Sequence, residues 1–214
     1  MKRLRILIAD DHALVRRGLR SVLEAQTNWT VCGEAQDGRE AVKVALKLRP
    51  DIVLLDVTMP ELNGLDATRQ ICRGLPGTPI LILTMHESEE LCGEAVLAGA
   101  SGCVLKSDSP RQLLAAIEAV AAGEKYFPRP TGHVTHSGGQ RGGGGGAVQP
   151  RLSAREREIV QLLAEGRTSK EIASRLGIAF KTVDAHRTNI MRRLNVHAVA
   201  DLVRYAVREH IIQA

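Results

Sequence analysis

The sequence predicts an α/β domain, a doubly wound parallel sheet of five strands, followed by an all-α domain of four helices. Two features predict the first part. Over residues 4–122 short apolar runs alternate with amphipathic stretches of helical length, the pattern of repeated βα units. The runs are unbroken and β-branched, as in Ile52-Val53-Leu54-Leu55, which suits strands buried on both faces. A third feature predicts the second part. Beyond residue 150 the strand-like runs stop, and two S/T-x-x-E boxes, Ser153 to Glu156 and Thr168 to Glu171, mark helix starts.

The elements follow in order. The first strand is Leu4 to Ala9. The first helix runs from about His12 to Ala25, with Val15, Leu19, Val22 and Leu23 on one face. Thr30 to Ala35 is the second strand. The second helix covers about Arg39 to Leu48 and stops before Pro50. Ile52 to Leu55 is the third strand, and the third helix starts near Gly64 and ends by Leu75. Ile80 to Leu83 is the fourth strand, followed by a helix over Ser88 to Ala98 with Gly99 as its cap. Gly102 to Leu105 is the fifth strand. Ser109-Pro110 then opens a helix that ends near Gly123. In the second half Gly166 and Gly177 close two short helices. A third runs from about Phe180 or Lys181 to Leu194, and a last from about Val199 to Glu209. Between the halves, Gly142 to Gly146 is an uninterrupted glycine run, read as a flexible tether. The expected domains are therefore 1–126, a linker 127–150, and 151–214. His133 and His136 stand in that linker without a third ligand, a poor metal signature.

Chemistry concentrates where the strands end. The first strand runs into Asp10-Asp11, the third into Asp56, the fourth into Thr84 and the fifth into Lys106. In open parallel sheets ligands bind beyond the carboxyl ends of the strands. Two or three carboxylates hold Mg²⁺, and a carboxylate can attack phosphorus to form an acyl phosphate. Lys106 would neutralise transferred oxygens, and Thr84 would hydrogen-bond them.

Composition narrows the classes. Only two Tyr, two Phe and one Trp occur in 214 residues, so the cores must be aliphatic and an aromatic-lined ligand pocket is disfavoured. The cysteines Cys32, Cys72, Cys92 and Cys103 form no C-x-x-C clip; unpaired thiols without a signal segment point to a reduced, cytoplasmic protein. The apolar runs are too short for a membrane span. Residues 1–126 hold 15 Lys+Arg against 17 Asp+Glu, whereas residues 127–214 hold 14 against 7. A near-neutral front and a basic back suit a regulatory domain joined to a nucleic-acid binder.

Residues 1–122 resemble the receiver domain of bacterial response regulators, a flavodoxin-like fold. The resemblance rests on Asp10-Asp11, Asp56, Met59-Pro60, Asn63-Gly64, Thr84 and Lys106, in order and at the family's spacing. Residues 151–212 resemble the LuxR-type helix-turn-helix through Leu152-Ser153-Ala154-Arg155-Glu156-Arg157-Glu158, Glu171-Ile172-Ala173, Thr182-Val183, His186-Arg187, Asn189-Ile190 and Arg193-Leu194. Together they resemble the NarL/FixJ family. That implies a transcription regulator rather than an enzyme. A sensor histidine kinase would phosphorylate Asp56 with Mg²⁺ held by Asp10, Asp11, Asp56 and the Thr58 carbonyl. Thr84 and Lys106 would engage the product, and a homodimer would bind double-stranded DNA. In a helix-turn-helix the second helix enters the major groove. Lys181, Thr182, Asp184, Ala185 and Thr188 are then the groove-facing positions, Arg187 lies on the same side, and Arg192 and Arg193 suit phosphate contacts. Asp184 is unusual beside phosphate; it suits a cytosine amino group or the helix N-terminus.

Departures from the family matter too. Cys103 stands three before Lys106, where many receivers have an aromatic, and is read as core filler rather than a redox sensor. Ser107 replaces a frequent proline. Thr58 and His86 flank the expected path of the hydrolytic water. An aspartyl-phosphate phosphatase would need an acid at Thr58. A receiver that works without phosphorylation would not need the complete acidic set.

Overall fold

The computed structural model describes residues 3–85, 88–127 and 152–212. His86, His133, His136 and the glycine run lie outside them, as does nearly all of the expected linker.

Five strands form one parallel sheet: β1 (Leu4–Ala9), β2 (Trp29–Ala35), β3 (Ile52–Asp56), β4 (Ile80–Thr84) and β5 (Gly102–Leu105), in the spatial order β2-β1-β3-β4-β5. The order reverses between β1 and β3, which opens a crevice beyond their carboxyl ends, where such sheets bind ligands. Register aligns those ends: Ala9 pairs with Leu55, Asp56 with Leu83 and Thr84 with Leu105.

Helices α1 (Ala13–Glu24), α2 (Gly38–Leu48), α3 (Gly64–Gly74), α4 (Glu89–Ala98) and α5 (Pro110–Ala121) cover both faces. Ala41, Ala45, Leu65, Ile71, Leu91 and Ala95 of α2, α3 and α4 pack with Leu7, Val53, Leu55, Ile80 and Ile82 on one face. Leu23 of α1 and Leu113, Ala116, Ile117 and Val120 of α5 pack with Ile6, Ile8, Leu54, Leu81 and Leu83 on the other. Alternate strand residues thus feed opposite cores, and truncating a fully buried one such as Leu54 to Ala costs about 2–5 kcal/mol. Helix α1 contributes only Leu23 to the fully buried set. Val15, Leu19 and Val22 on the same face are half-buried; Leu19 packs against the Leu23 core, and all three line a groove with Leu83, Leu105 and Leu113.

The caps explain the helix boundaries. Asp37, Asn63, Ser88 and Ser109 each accept a hydrogen bond from the backbone N–H three residues on. Gly99 ends α4 in the left-handed region at φ 100°, which costs glycine no Cβ clash. The strands reach one residue further than expected: Asp56 and Thr84 are themselves the last residues of β3 and β4, and β2 begins at Trp29.

The second half holds α6 (Ala154–Ala164), α7 (Ser169–Leu176), α8 (Phe180–Leu194) and α9 (Val199–Arg208). Leu152, Ile159, Leu162, Ile172, Val183, Ile190, Leu202 and Ala206 form its own core. Both expected capping boxes, at Ser153 and Thr168, are present, and Gly177 closes α7 at φ 62°. Among the described residues no helix is long and apolar enough to cross a membrane.

The two halves are docked through α6. Gln161 is completely buried; its Nε2 donates to the Met59 carbonyl at 2.8 Å, and its Oε1 accepts from the Asn63 N–H at 2.7 Å. Arg157 pairs with Asp66 at 3.1 Å, Arg39 with Glu158 at 2.7 Å, and Arg175 of α7 with Glu61. Nothing in the hydropathy pattern of α6 announces this contact, because its partners are polar.

Candidate phosphoacceptor pocket and DNA-binding face

The strand ends bring Asp10, Asp56 and Lys106 into contact. Asp10 and Asp56 are buried, and Lys106 is nearly so. Lys106 Nζ lies 2.8 Å from Asp10 Oδ2 and 2.9 Å from Asp56 Oδ2. Neither oxygen has a well-aligned hydrogen-bond partner: charge holds them, but hydrogen bonding does not saturate them. Burial pushes the Asp56 carboxyl up to about 6, with the Lys106 ammonium opposing it and Asp10 and Asp11 adding to it. Burial works against the Lys106 charge, yet the two carboxylates beside it leave its pKa raised.

One potential ligand atom each from Asp10, Asp11, His12 and Asp56 lies within 4.8 Å of the others. His12 is the member that sequence reasoning missed as a site residue. Its Nδ1 stands 2.8 Å from Asp11 Oδ1, and its position directly after the acidic pair was the available signal. Two buried carboxylate oxygens whose near partner is the Lys106 ammonium, beside a third acid, are the donor set a hard divalent cation takes. Thr58 and Thr84 line the cavity above this cluster, with Val57, Ser88 and Lys106.

The loop after Asp56 is fixed by Gly64. A Cβ there would fall 2.0 Å from the Asp56 carbonyl oxygen, so only glycine permits this approach. The Gly64 N–H donates to the Val57 carbonyl at 2.7 Å, and Asn63 caps α3 through Asp66. The Asn63-Gly64 pair therefore turns the chain back beneath the carboxylate.

Cys103 is buried in the core under α4, next to Cys92. Burial pushes its thiol far above the ordinary range. An inert, apolar role fits that environment.

On α8, Val183 and Ile190 are buried, as the helical spacing predicts, whereas His186 and Leu194 are half-buried. Lys181, Thr182, Asp184, Ala185, Thr188, Arg192 and Arg193 are exposed, and Arg187 is half-buried. The receiver half covers α6, not this face. Arg193 also pairs with Glu156 of α6 at 2.5 Å, and Arg192 donates to Asn189 at 3.2 Å.

The family profile described as "Response regulator receiver domain" matches residues 6–118, and that described as "Bacterial regulatory proteins, luxR family" matches residues 150–206. This chain is a response regulator of the NarL/FixJ family. It is 38% identical over 209 residues to the transcriptional regulatory protein LiaR of Bacillus subtilis, covering 98% of this chain and 99% of LiaR. It is 38% identical to the oxygen regulatory protein NreC of Staphylococcus carnosus, covering 98% of this chain and 99% of that one. Among solved structures it resembles the RcsB response regulator of Salmonella typhimurium, with a TM-score of 0.64 at 26% identity over 98% of this chain and 99% of that chain. A LuxR-family response regulator from Aurantimonas is 41% identical with a TM-score of 0.57, covering 58% of this chain and 89% of that chain. As a response regulator the chain pairs a receiver with a LuxR-type DNA-binding domain, a constitution consistent with transcription regulation.

Proposed function

We propose that this response regulator is switched by phosphorylation of Asp56 from a sensor histidine kinase, and that the phosphorylated form dimerises and binds paired half-sites in double-stranded DNA. The observation that carries the first step is the buried Asp56 carboxylate with an unsaturated oxygen, flanked by Asp10 and Lys106. An Asp56 oxygen attacks the phosphoryl phosphorus, the P–O bond forms as the donor's P–N bond breaks, and the imidazole leaves. Asp10, Asp11, Asp56 and the Thr58 carbonyl would hold Mg²⁺, which would supply charge neutralisation for the transferred oxygens. Lys106 stands as their permanent counter-charge, and the Thr84 hydroxyl donates a hydrogen bond to them. Thr58, where a second acid would be required for hydrolytic turnover, favours a switch over an enzyme.

The units in this reading are a receiver over 1–126, a linker over 127–150 and a DNA-binding domain over 151–214, working in the cytoplasm. Exposure of Lys181, Thr182, Asp184, Ala185 and Thr188 supports groove contact by α8, with Arg187, Arg192 and Arg193 towards the phosphates. An α8 face left open by docking supports control through pairing of DNA domains rather than through masking of that helix.

The test is intact-mass spectrometry after treatment with acetyl phosphate and Mg²⁺. One phosphoryl group is expected on the wild type and none on Asp56→Asn; a phosphoryl gain on the variant refutes the assignment.

A further inference from the structure

The docking contact converges on the chemistry of the receiver. Residues 57–63 connect Asp56 to α3, and three of their backbone groups bond to side chains of α6 and its C-cap. The Met59 carbonyl accepts from Gln161 Nε2, the Asn63 N–H donates to Gln161 Oε1, and the Glu61 N–H donates to Glu165 Oε1 at 3.1 Å. Gln161 Nε2 also donates to Glu165 Oε1 at 2.9 Å, tying the two side chains together. A polar side chain buried this completely is retained where each of its hydrogen bonds is made, and here each partner lies on the Asp56 loop or on Glu165.

A second observation concerns the far end of the same domain. The cavity above the acidic cluster, about 590 Å³, is bounded by Thr58, Thr84 and Lys106 below and by Val207, His210 and Ile212 above. These last three belong to the end of α9 and the turn after it. Glu94 of α4, half-buried at this junction, has its carboxyl pushed up by burial, with Arg69 and His210 among the charges that oppose the shift.

We infer that the docked DNA-binding domain restrains the phosphoacceptor site: Gln161 holds the loop that follows Asp56, and Val207, His210 and Ile212 form a wall that restricts entry to the cavity. This rests on the phosphoacceptor reading of Asp56 and adds influence in the reverse direction, from DNA-binding domain to receiver chemistry. Coupling between two sites is reciprocal. If phosphorylation weakens docking, docking must disfavour phosphorylation. Docking therefore opposes the phosphorylated state at equilibrium, and the wall over the cavity slows transfer from acetyl phosphate, in which the Asp56 Oδ–P bond forms, the donor's P–O bond breaks and acetate leaves.

The test uses the full chain, with Gln161→Ala to free the loop and Ile212→Ser to weaken the wall. Two quantities are read: the rate of phosphoryl gain by intact mass at several acetyl phosphate concentrations, and amide hydrogen exchange of the 58–64 segment without donor. Gln161→Ala should raise exchange at Glu61 and Asn63 and speed phosphorylation by roughly fivefold or more, the lower end of coupling between two sites. Ile212→Ser should lower the acetyl phosphate concentration needed for half-maximal rate. Faster exchange with an unchanged phosphorylation rate overturns the inference, as does unchanged exchange in Gln161→Ala. A wild type that gains no phosphoryl group overturns the phosphoacceptor reading itself, and this inference with it.

Discussion

Replacing Asp56 by Asn should stabilise the metal-free protein at neutral pH, even though it removes the proposed nucleophile. The Asp56 carboxyl is buried and displaced from its ordinary 3.8 to about 6. Between those values the native state binds a proton that the unfolded chain has released. Stability therefore falls as pH rises through that window. At about 1.4 kcal/mol per unit of pKa, the burden above pH 6 is about 3 kcal/mol. Asn carries no such burden and keeps a carbonyl oxygen towards Lys106. The attraction to Lys106 is already contained in that net shift, so the gain expected is at most about 3 kcal/mol, less whatever packing the amide loses. Urea unfolding in chelator at pH 4 and at pH 7.5 measures it. Wild type and Asp56→Asn should coincide at pH 4, and the variant should lead at pH 7.5. Mg²⁺ should then stabilise only the wild type and close the gap, because a ligand stabilises the state that binds it. A variant less stable than wild type at pH 7.5 in chelator would show that Asp56 is held by net attraction to Lys106, contrary to the burial reasoning.

Further outcomes follow from the same geometry. Gly64→Ala must displace the Asp56 carbonyl from a 2.0 Å approach; a loss of about 1–3 kcal/mol is expected by overpacking, with slowed phosphorylation, and a neutral result in urea unfolding would show that the loop relaxes freely. Residues 151–214 should bind DNA with a log–log salt slope of about −3 if Arg187, Arg192 and Arg193 each neutralise one phosphate, whereas a flat dependence in fluorescence-anisotropy titrations removes α8 from the interface. Arg192→Ala should reduce that slope by about 0.9, with the domain's thermal unfolding unchanged, since Arg192 is exposed.

Much of the fold was legible because its signals are local. Each strand is an apolar run with a functional residue at its end, and helix starts at Ser88, Ser109, Ser153 and Thr168 carry their own caps. The acidic pocket was legible because parallel strands share one carboxyl edge, so Asp10, Asp56, Thr84 and Lys106 could be placed together without knowing the strand order. His12 was missed because its proximity to Asp11 depends on the turn into α1. The docking contact was missed for a different reason. Gln161, Arg157 and Glu158 carry no apolar signal, and their partners Asn63, Asp66 and Arg39 lie in the other domain. Polar interfaces leave no hydrophobic period in a sequence. The boundaries of strands ending in Asp56 and Thr84 shifted by one residue because the ladder continues through backbone groups whatever the side chain, as in the Val57 N–H donating to the Leu83 carbonyl.

The central proposal is that phosphorylation of Asp56 controls DNA binding by pairing two DNA-binding domains. The most direct measurement is a titration of the full chain against DNA selected by the protein from a random pool, carrying either one half-site or two. It is made with and without acetyl phosphate and Mg²⁺, on wild type and on Asp56→Asn. On paired half-sites the phosphorylated wild type should bind at least about tenfold more tightly than the untreated protein, as avidity between tethered domains allows. On a single half-site the two should be equal, and Asp56→Asn should not respond on either. Equal tightening on single and paired half-sites would contradict pairing and show instead that phosphorylation changes the DNA-contacting face itself.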